Sequence, residues 1–460
     1  MHKFFNDKSF FATFWQLWSP IALQQLIFAL LNFASTMMVG QLGETSVAAF
    51  SLANQIIFLL MLSMFGVGSG AAIFVAQYWG KRDVANIQRV MGVSLVIGFV
   101  GASIFSIIAF ALPEQALALY STDPAVITLG SDYMRIVGLG YFAIPLTTSF
   151  TVTLRSTGNV RAPVAISIMA WSLGAVLNYA LIFGQLGMPA LGIHGNAIGS
   201  TIARSLECIS LIVFAYSTRS IAAAPLRAML AFDRAFLLSV IKTMLPVVLN
   251  EILWSTGISM YSLIYGRIGT ESVAAVSIAA SVENLAFVPF IAVANSAAIM
   301  IGNRIGADEE HQAMKYAKRF LVMNLATSVI LGALIFLSAD TILKFYQIDA
   351  TTQEYARNIL TIMSFALCIK ASNMLLIVGV LRAGGDARVS ALIDVSPLWL
   401  VGLPAATIGA FVFGLPVYWV YFLTITDEAC KLTLALARVI SKRWINNLAR
   451  QEMLKVSSPY

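Results

Sequence analysis

Four ionisable side chains stand inside the longest apolar stretches of this chain: Glu251, Glu283, Lys370 and Asp394. A charged group at the middle of a membrane costs roughly 2.5–3.5 kcal/mol on insertion scales, so it is kept where it acts or pairs. Glu251 follows Pro246 by about one helical turn and stands next to Asn250, and Asp394 lies just ahead of Pro397. One carboxylate can be neutralised by Lys370. The others, stripped of water, can hold a proton or a Na+ ion. These four form the candidate cation or proton coupling set. Glu251 is where Na+ would sit, and no other metal ligand set is present in the sequence. The competing reading is a buried ion-pair network that only fixes helix packing.

The elements that position these groups follow from composition. Of 460 residues, 59% are hydrophobic and 11% charged, whereas soluble domains carry roughly 25% charged residues. The solvent for such a chain is a bilayer. A spanning helix needs about 20 apolar residues, and the pattern predicts an all-α membrane protein with helices at 14–38, 47–75, 88–112, 130–155, 161–184, 195–217, 237–265, 272–302, 317–339, 353–381, 388–412 and 416–440. The net charge of +7 is spread along short loops, which argues against nucleic-acid binding. Lys81, Arg82, Arg155, Arg161, Arg227, Arg304, Lys318, Arg382, Arg388 and Arg443 all fall in loops of one side. That side is cytoplasmic by the positive-inside rule, and it holds both termini of a multi-pass protein of the cell membrane. Cys208, Cys368 and Cys430 lie in apolar segments and predict neither a disulfide framework nor a zinc site. With no catalytic cluster, the chain reads as a transporter and not an enzyme, and no organic cofactor is implied.

The spans are duplicated. G-Q-L-G-E-T-S-V-A-A-F-S-L-A from Gly40 returns as G-R-I-G-T-E-S-V-A-A-V-S-I-A from Gly266. Pro20 falls opposite Pro246, Gln25 opposite Glu251, and L-R-S-T-G-N at Leu154 opposite L-R-A-G-G-D at Leu381. This predicts two homologous six-helix lobes, 1–216 and 237–460, joined by a cytoplasmic linker at 217–236, as a parallel repeat. The first lobe lacks the acids. Gln25, Ser35 and Asn178 are its polar positions, and Ile57 stands opposite Glu283. Arg204 and Glu207, three residues apart on one helix, suit a local ion pair, and Lys431 and Arg438 suit snorkelling from the last helix. Pro20, Pro145, Pro246, Pro289, Pro397 and Pro404 are expected to break or kink their helices.

The repeated glycine motif, the paired L-R-[SA]-[TG]-G-[ND] and L-N-Y-A-L-I-F-G at Leu177 resemble the multidrug and toxic compound extrusion (MATE) transporters, of the bacterial DinF-like/NorM-like kind, along essentially the whole chain. The resemblance implies a V-shaped pair of lobes with a central cavity. It implies export of small organic cations or amphipathic drugs by alternating access against Na+ or H+, with the protein acting as a monomer in the lipid bilayer. Glu251 matches the family's helix-7 acid. Ser35 stands where many members carry Asp, and Ala371, beside Lys370, stands near the helix-10 acid of one branch. Tyr141, Trp254, Met260, Tyr261 and Phe287 are the candidates for lining the substrate cavity. The alternative on the same scaffold is a flippase of a lipid-linked or peptidoglycan precursor.

Overall fold

The computed structural model describes residues 7–450. Both termini, expected on the cytoplasmic side, lie outside the described residues. Helices account for nearly all of the described chain. The first three are α1 (Lys8–Gly40), α2 (Glu44–Gly80) and α3 (Val84–Ala111). Next come the short α4 (Pro113–Ala118), α5 (Pro124–Gly138), α6 (Ala143–Ser156), α7 (Arg161–Phe183) and α8 (Ile193–Ser217). The expected linker holds α9 (Leu226–Met229). The second half runs through α10 (Arg234–Ile268), α11 (Thr270–Gly306), α12 (Glu310–Leu343) and α13 (Ala350–Met374), which passes into a wider π segment, Leu375–Arg382. It ends with α14 (Ala387–Pro397), a second π segment (Leu398–Gly402), α15 (Leu403–Phe411) and α16 (Val417–Ile440).

The duplication is visible in these bounds. α2 and α11 each have 37 residues, and each begins and ends 226 positions from the other. Among the described residues, ten helices are long and apolar enough to cross a membrane, eleven if the bent pair α5 and α6 is one span. The twelfth, α16, fails on composition alone, because every 18-residue window of it contains Asp427, Glu428 and Lys431. The result is the expected all-α architecture of twelve spans.

Helix ends follow local chemistry. Asp83 accepts a hydrogen bond from the Asn86 amide at the start of α3, and Asp349 accepts from Thr351 and Thr352 at the start of α13, which satisfies donors that have no partner within the helix. The prolines expected to break or kink their helices differ in what they do. The span expected at 130–155 is broken: α5 and α6 meet at a 50° bend. Pro145 has no amide to offer the Tyr141 carbonyl, which instead accepts from Ile144 at 3.1 Å. Leu139, Gly140, Tyr141 and Ala143 likewise donate three residues back, so the helix tightens and turns. By contrast α1, α10 and α11 run continuously through Pro20, Pro246 and Pro289.

The chain forms two compact units, one of Ser19–Val248 and one of Leu249 onward with the segment up to Trp18. The linker at 217–236 thus marks where the sequence repeats, while compactness divides within α1 and α10. The reason is packing. In the Leu249 unit, Phe10 stacks edge-on to Tyr316 and Phe320 with centroids 4.9 and 5.2 Å apart. In the Ser19–Val248 unit, α10 crosses α2 at glycines: a Cβ on Gly66 would lie 2.8 Å from Val248 Cα, and one on Gly70 would lie 2.7 Å from Met244 Cγ.

Candidate functional site

The Leu249 unit brings its intramembrane charges together from six elements. α11 supplies Glu283, α13 supplies Lys370 and α16 supplies Tyr421. Lys370 Nζ lies 2.6 Å from Glu283 Oε1 and donates to the Tyr421 hydroxyl at 3.2 Å, and that hydroxyl donates to Glu283 Oε2 at 3.4 Å. The expected neutralisation of one carboxylate by Lys370 therefore falls on Glu283.

The second knot is larger. Glu251 Oε1, on α10, lies 2.8 Å from Arg382 Nη1 at the end of the first π segment. Arg382 Nη2 reaches Asp394 Oδ2 of α14 at 4.0 Å, and the same oxygen accepts from Asn250 Nδ2 at 2.9 Å. Asp394 Oδ1 faces Lys431 Nζ at 3.6 Å. Lys431 also lies 3.0 Å from Asp427 and 3.1 Å from Glu428, one turn back on α16. Asn373 donates to Glu428 Oε2 at 2.7 Å. Gly402 lets this knot close: a Cβ there would collide with the Tyr261 hydroxyl and fall 2.9 Å from Asp427 Cβ.

Several members were missed or misplaced in the sequence. Arg382 was expected in a cytoplasmic loop but is 2% exposed, and Lys431 was expected to snorkel but is 1% exposed. The π segment winds Arg382 inward, and three carboxylates around Lys431 replace the water it would otherwise seek. Asp427 and Glu428 drew no attention because they share a turn with Lys431. A signal was available: the repeat sets Arg155 opposite Arg382, and Gln24 and Gln25 opposite Asn250 and Glu251. Counted over both knots, Glu251, Glu283, Asp394, Asp427 and Glu428 face Lys370, Arg382 and Lys431. Five acids thus meet three bases where water is scarce.

The Ser19–Val248 unit carries the matching arginine without its acid. Arg155, which like Arg382 was expected in a cytoplasmic loop, lies in the last turn of α6 and donates to Gln24 Oε1. Ser35 accepts from Asn196 Nδ2 at 2.8 Å, and Asn196 Oδ1 in turn accepts from Tyr133 at 3.1 Å. Asn178 donates to Ser200 at 3.3 Å, while Gln25 is half-buried. The Arg204–Glu207 ion pair expected on α8 does not form among the described residues. Glu207 instead accepts from Ser167 at 2.5 Å and from Trp171 Nε1 at 2.9 Å, and Arg204 lies over the Trp171 ring at 5.8 Å.

Of the proposed cavity residues, Trp254, Met260, Tyr261 and Phe287 belong to the Leu249 unit and Tyr141 to the other. Tyr141 is buried in the core of the Ser19–Val248 unit. Tyr261 is buried in the core of the other, with Trp254 and Phe287 packed against it, and Phe287 stacks edge-on to Phe290 at 5.8 Å. Met260 is exposed.

Comparison with known proteins agrees with this architecture. The MatE family model matches residues 20–180 and again 246–408, so its two copies start at Pro20 and Pro246, the pair that the internal repeat aligns. The chain is 25% identical over 398 residues to a probable multidrug resistance protein, YoeA, of Bacillus subtilis, covering 84% of each chain. It is 21% identical over 435 residues to a probable multidrug resistance protein, NorM, of Thermotoga maritima, covering 92% of this chain and 91% of that one. The Vibrio cholerae MATE transporter VcmN superposes with a TM-score of 0.85 at 18% identity over 98% of both chains. An outward-facing multidrug resistance MATE transporter superposes with a TM-score of 0.84 at 18% identity over 96% of both. With the model matched in both halves and the twelve-span fold reproduced, this chain belongs to the MATE family of membrane-embedded multidrug transporters.

Proposed function

We propose that the protein is a secondary active exporter of amphipathic organic compounds, cationic ones included, which it drives by the inward flow of Na+ or H+ through its Leu249 unit. One observation carries the reading: five carboxylates are packed with three cationic side chains at separations of 2.6 to 4.0 Å in the spans of that unit. The imbalance of two negative charges is costly in a medium of low dielectric. Binding H+ or Na+ relieves it, so the unit favours different arrangements with and without the ion. Coupling follows if the ion's affinity differs between the inward-open and outward-open states. Glu251 and Asp394 are the exchange positions, because they share Arg382 and can release it alternately. Glu283 is held by Lys370 and Tyr421 and acts as a fixed counter-charge. The protein works as a monomer in the cytoplasmic membrane, and the excess of Lys and Arg in the loops of one side supports a cytoplasmic location for both ends.

The test uses proteoliposomes, a fluorescent organic cation and an imposed gradient of either Na+ or pH. The expected result is uphill dye movement under one of the two, lost in Glu251→Gln while the variant retains its melting temperature within a few degrees. Undiminished gradient-driven flux in a folded Glu251→Gln, Asp394→Asn double variant would falsify the assignment.

A further inference from the structure

The polarity of the other unit is reversed. Within the spans of Ser19–Val248, the buried Arg204 and the half-buried Arg155 stand against a single buried carboxylate among the described residues, Glu207. Arg204 is 7% exposed and sits midway along α8, at the depth where a bare charge is most costly. Glu207 is already engaged by Ser167 and Trp171, and Arg155 by the neutral Gln24, with its Nε left unpartnered. The buried Nη1 of Arg204 has no hydrogen-bond partner, and neither does the buried hydroxyl of Tyr141. Both belong to the break between α5 and α6: Tyr141 lies in it, and a Cβ on the adjoining Gly140 would fall 3.5 Å from Arg204 Cδ. A guanidinium and a phenol, both able to donate and both unserved, are groups that an oxyanion would satisfy.

We infer that Arg204 and Tyr141 bind an anionic oxygen group of the transported compound, a carboxylate carried on an amphipathic body, so that acid-bearing or zwitterionic compounds are preferred over their neutral esters. Arg204 supplies the charge and Tyr141 a second donor. Trp171 offers an apolar face next to the guanidinium, and the α5–α6 bend is the hinge that admits the ligand. The inference deepens the proposed export function by naming a cargo chemistry, but its test needs no ion gradient.

The probe is a pair of xanthene dyes, one with a free carboxylate and one that is its methyl ester. Binding of each to the purified protein in detergent micelles is followed by fluorescence polarisation. A buried charge-assisted hydrogen bond corresponds to about tenfold to a hundredfold in affinity, and the acid is expected to bind tighter than the ester by at least the lower figure. Arg204→Gln should bring the two affinities together by weakening the acid alone, and Tyr141→Phe should do so in part. Glu207→Gln removes the competing carboxylate and should tighten acid binding severalfold, a gain that a purely architectural network would not produce. Wild-type protein that binds the ester as well as the acid overturns the inference, whatever the variants do. So does a folded Arg204→Gln that keeps the preference. Should Arg204→Gln fail to fold, the wild-type ratio and the Glu207→Gln gain decide the matter. An acid preference without gradient-driven flux sinks the exporter reading and leaves this site standing, and flux without a preference does the reverse.

Discussion

Arg382 is enclosed by acids at two distances, with Glu251 at 2.8 Å and Asp394 at 4.0 Å. Removing the guanidinium leaves two carboxylates facing each other in a dry interior. Breaking one side of a buried pair costs about 3–5 kcal/mol, because the remaining charge is uncompensated. Arg382→Gln should therefore melt well below wild type at neutral pH. Adding Glu251→Gln should restore much of the loss, since the pair is then absent rather than broken. Thermal unfolding of the two single variants and the double variant in detergent measures this as a cycle, and a double variant less stable than Arg382→Gln contradicts it. Gly402 makes a sharper steric case. Gly402→Ala drives a methyl group into Tyr261 and Asp427, and overpacking of this kind costs about 1–3 kcal/mol. Tyr261→Phe in the same chain should return part of that loss, again read by melting.

Among the elements, the α5–α6 break depends on one missing amide. Pro145→Ala restores a donor to the Tyr141 carbonyl, and an interior proline costs a helix about 3 kcal/mol. The variant should melt a few degrees higher and turn over substrate more slowly, because the bend that flexes has been stiffened. A variant that is both more stable and as fast as wild type would show that the bend is only a shape. A break or kink at Pro145 was legible in the sequence, but so was one at Pro20, Pro246 and Pro289, and the apolar run at 130–155 has the length of one span. Those three sit inside continuous helices. What separates Pro145 from them is the pair Gly138 and Gly140 just ahead, which lets the chain tighten. The positions of Glu251, Glu283, Lys370 and Asp394 were legible, because a charge within an apolar span stands out on composition alone. Their partners were not. Glu283 meets Lys370, and Glu251 meets Arg382, through the rotation of whole helices about their axes, which hydropathy leaves undetermined. Arg382 was hidden further by the π segment, which shifts it away from the face that an α-helical count gives it.

At the scale of the whole chain, the Leu249 unit is tied to the start of the sequence by an ion pair. Asp7 Oδ2 lies 2.6 Å from Arg319 Nη1 of α12. That hydrogen bond, with others from Ser9 and the Phe10 amide, holds the Asp7 carboxyl well below the usual carboxylate range. A depressed carboxylate contributes stability above its unfolded value, roughly 3.9, and loses it as pH falls toward the folded value. Wild type should melt above Asp7→Asn at neutral pH, with the gap closing below about pH 4. A gap that widens on acidification would mean that Asp7 is not the stabilising partner.

The twofold origin of the chain was plain from its repeated motif, but the division of α1 at Trp18 and of α10 at Val248 was not, since a continuous helix carries no mark of which neighbour each half will choose. That division has a bearing on biosynthesis. As the chain leaves the ribosome, the unit ending at Val248 has all its parts once α10 has emerged. The segment that holds Phe10 and Phe14 is made first, yet the distant rings it stacks on, Tyr316 and Phe320, follow some three hundred residues later. Until then an aromatic end waits exposed to lipid, and a ribosome stalled between the two would release a chain whose earliest turns are its last unsatisfied ones.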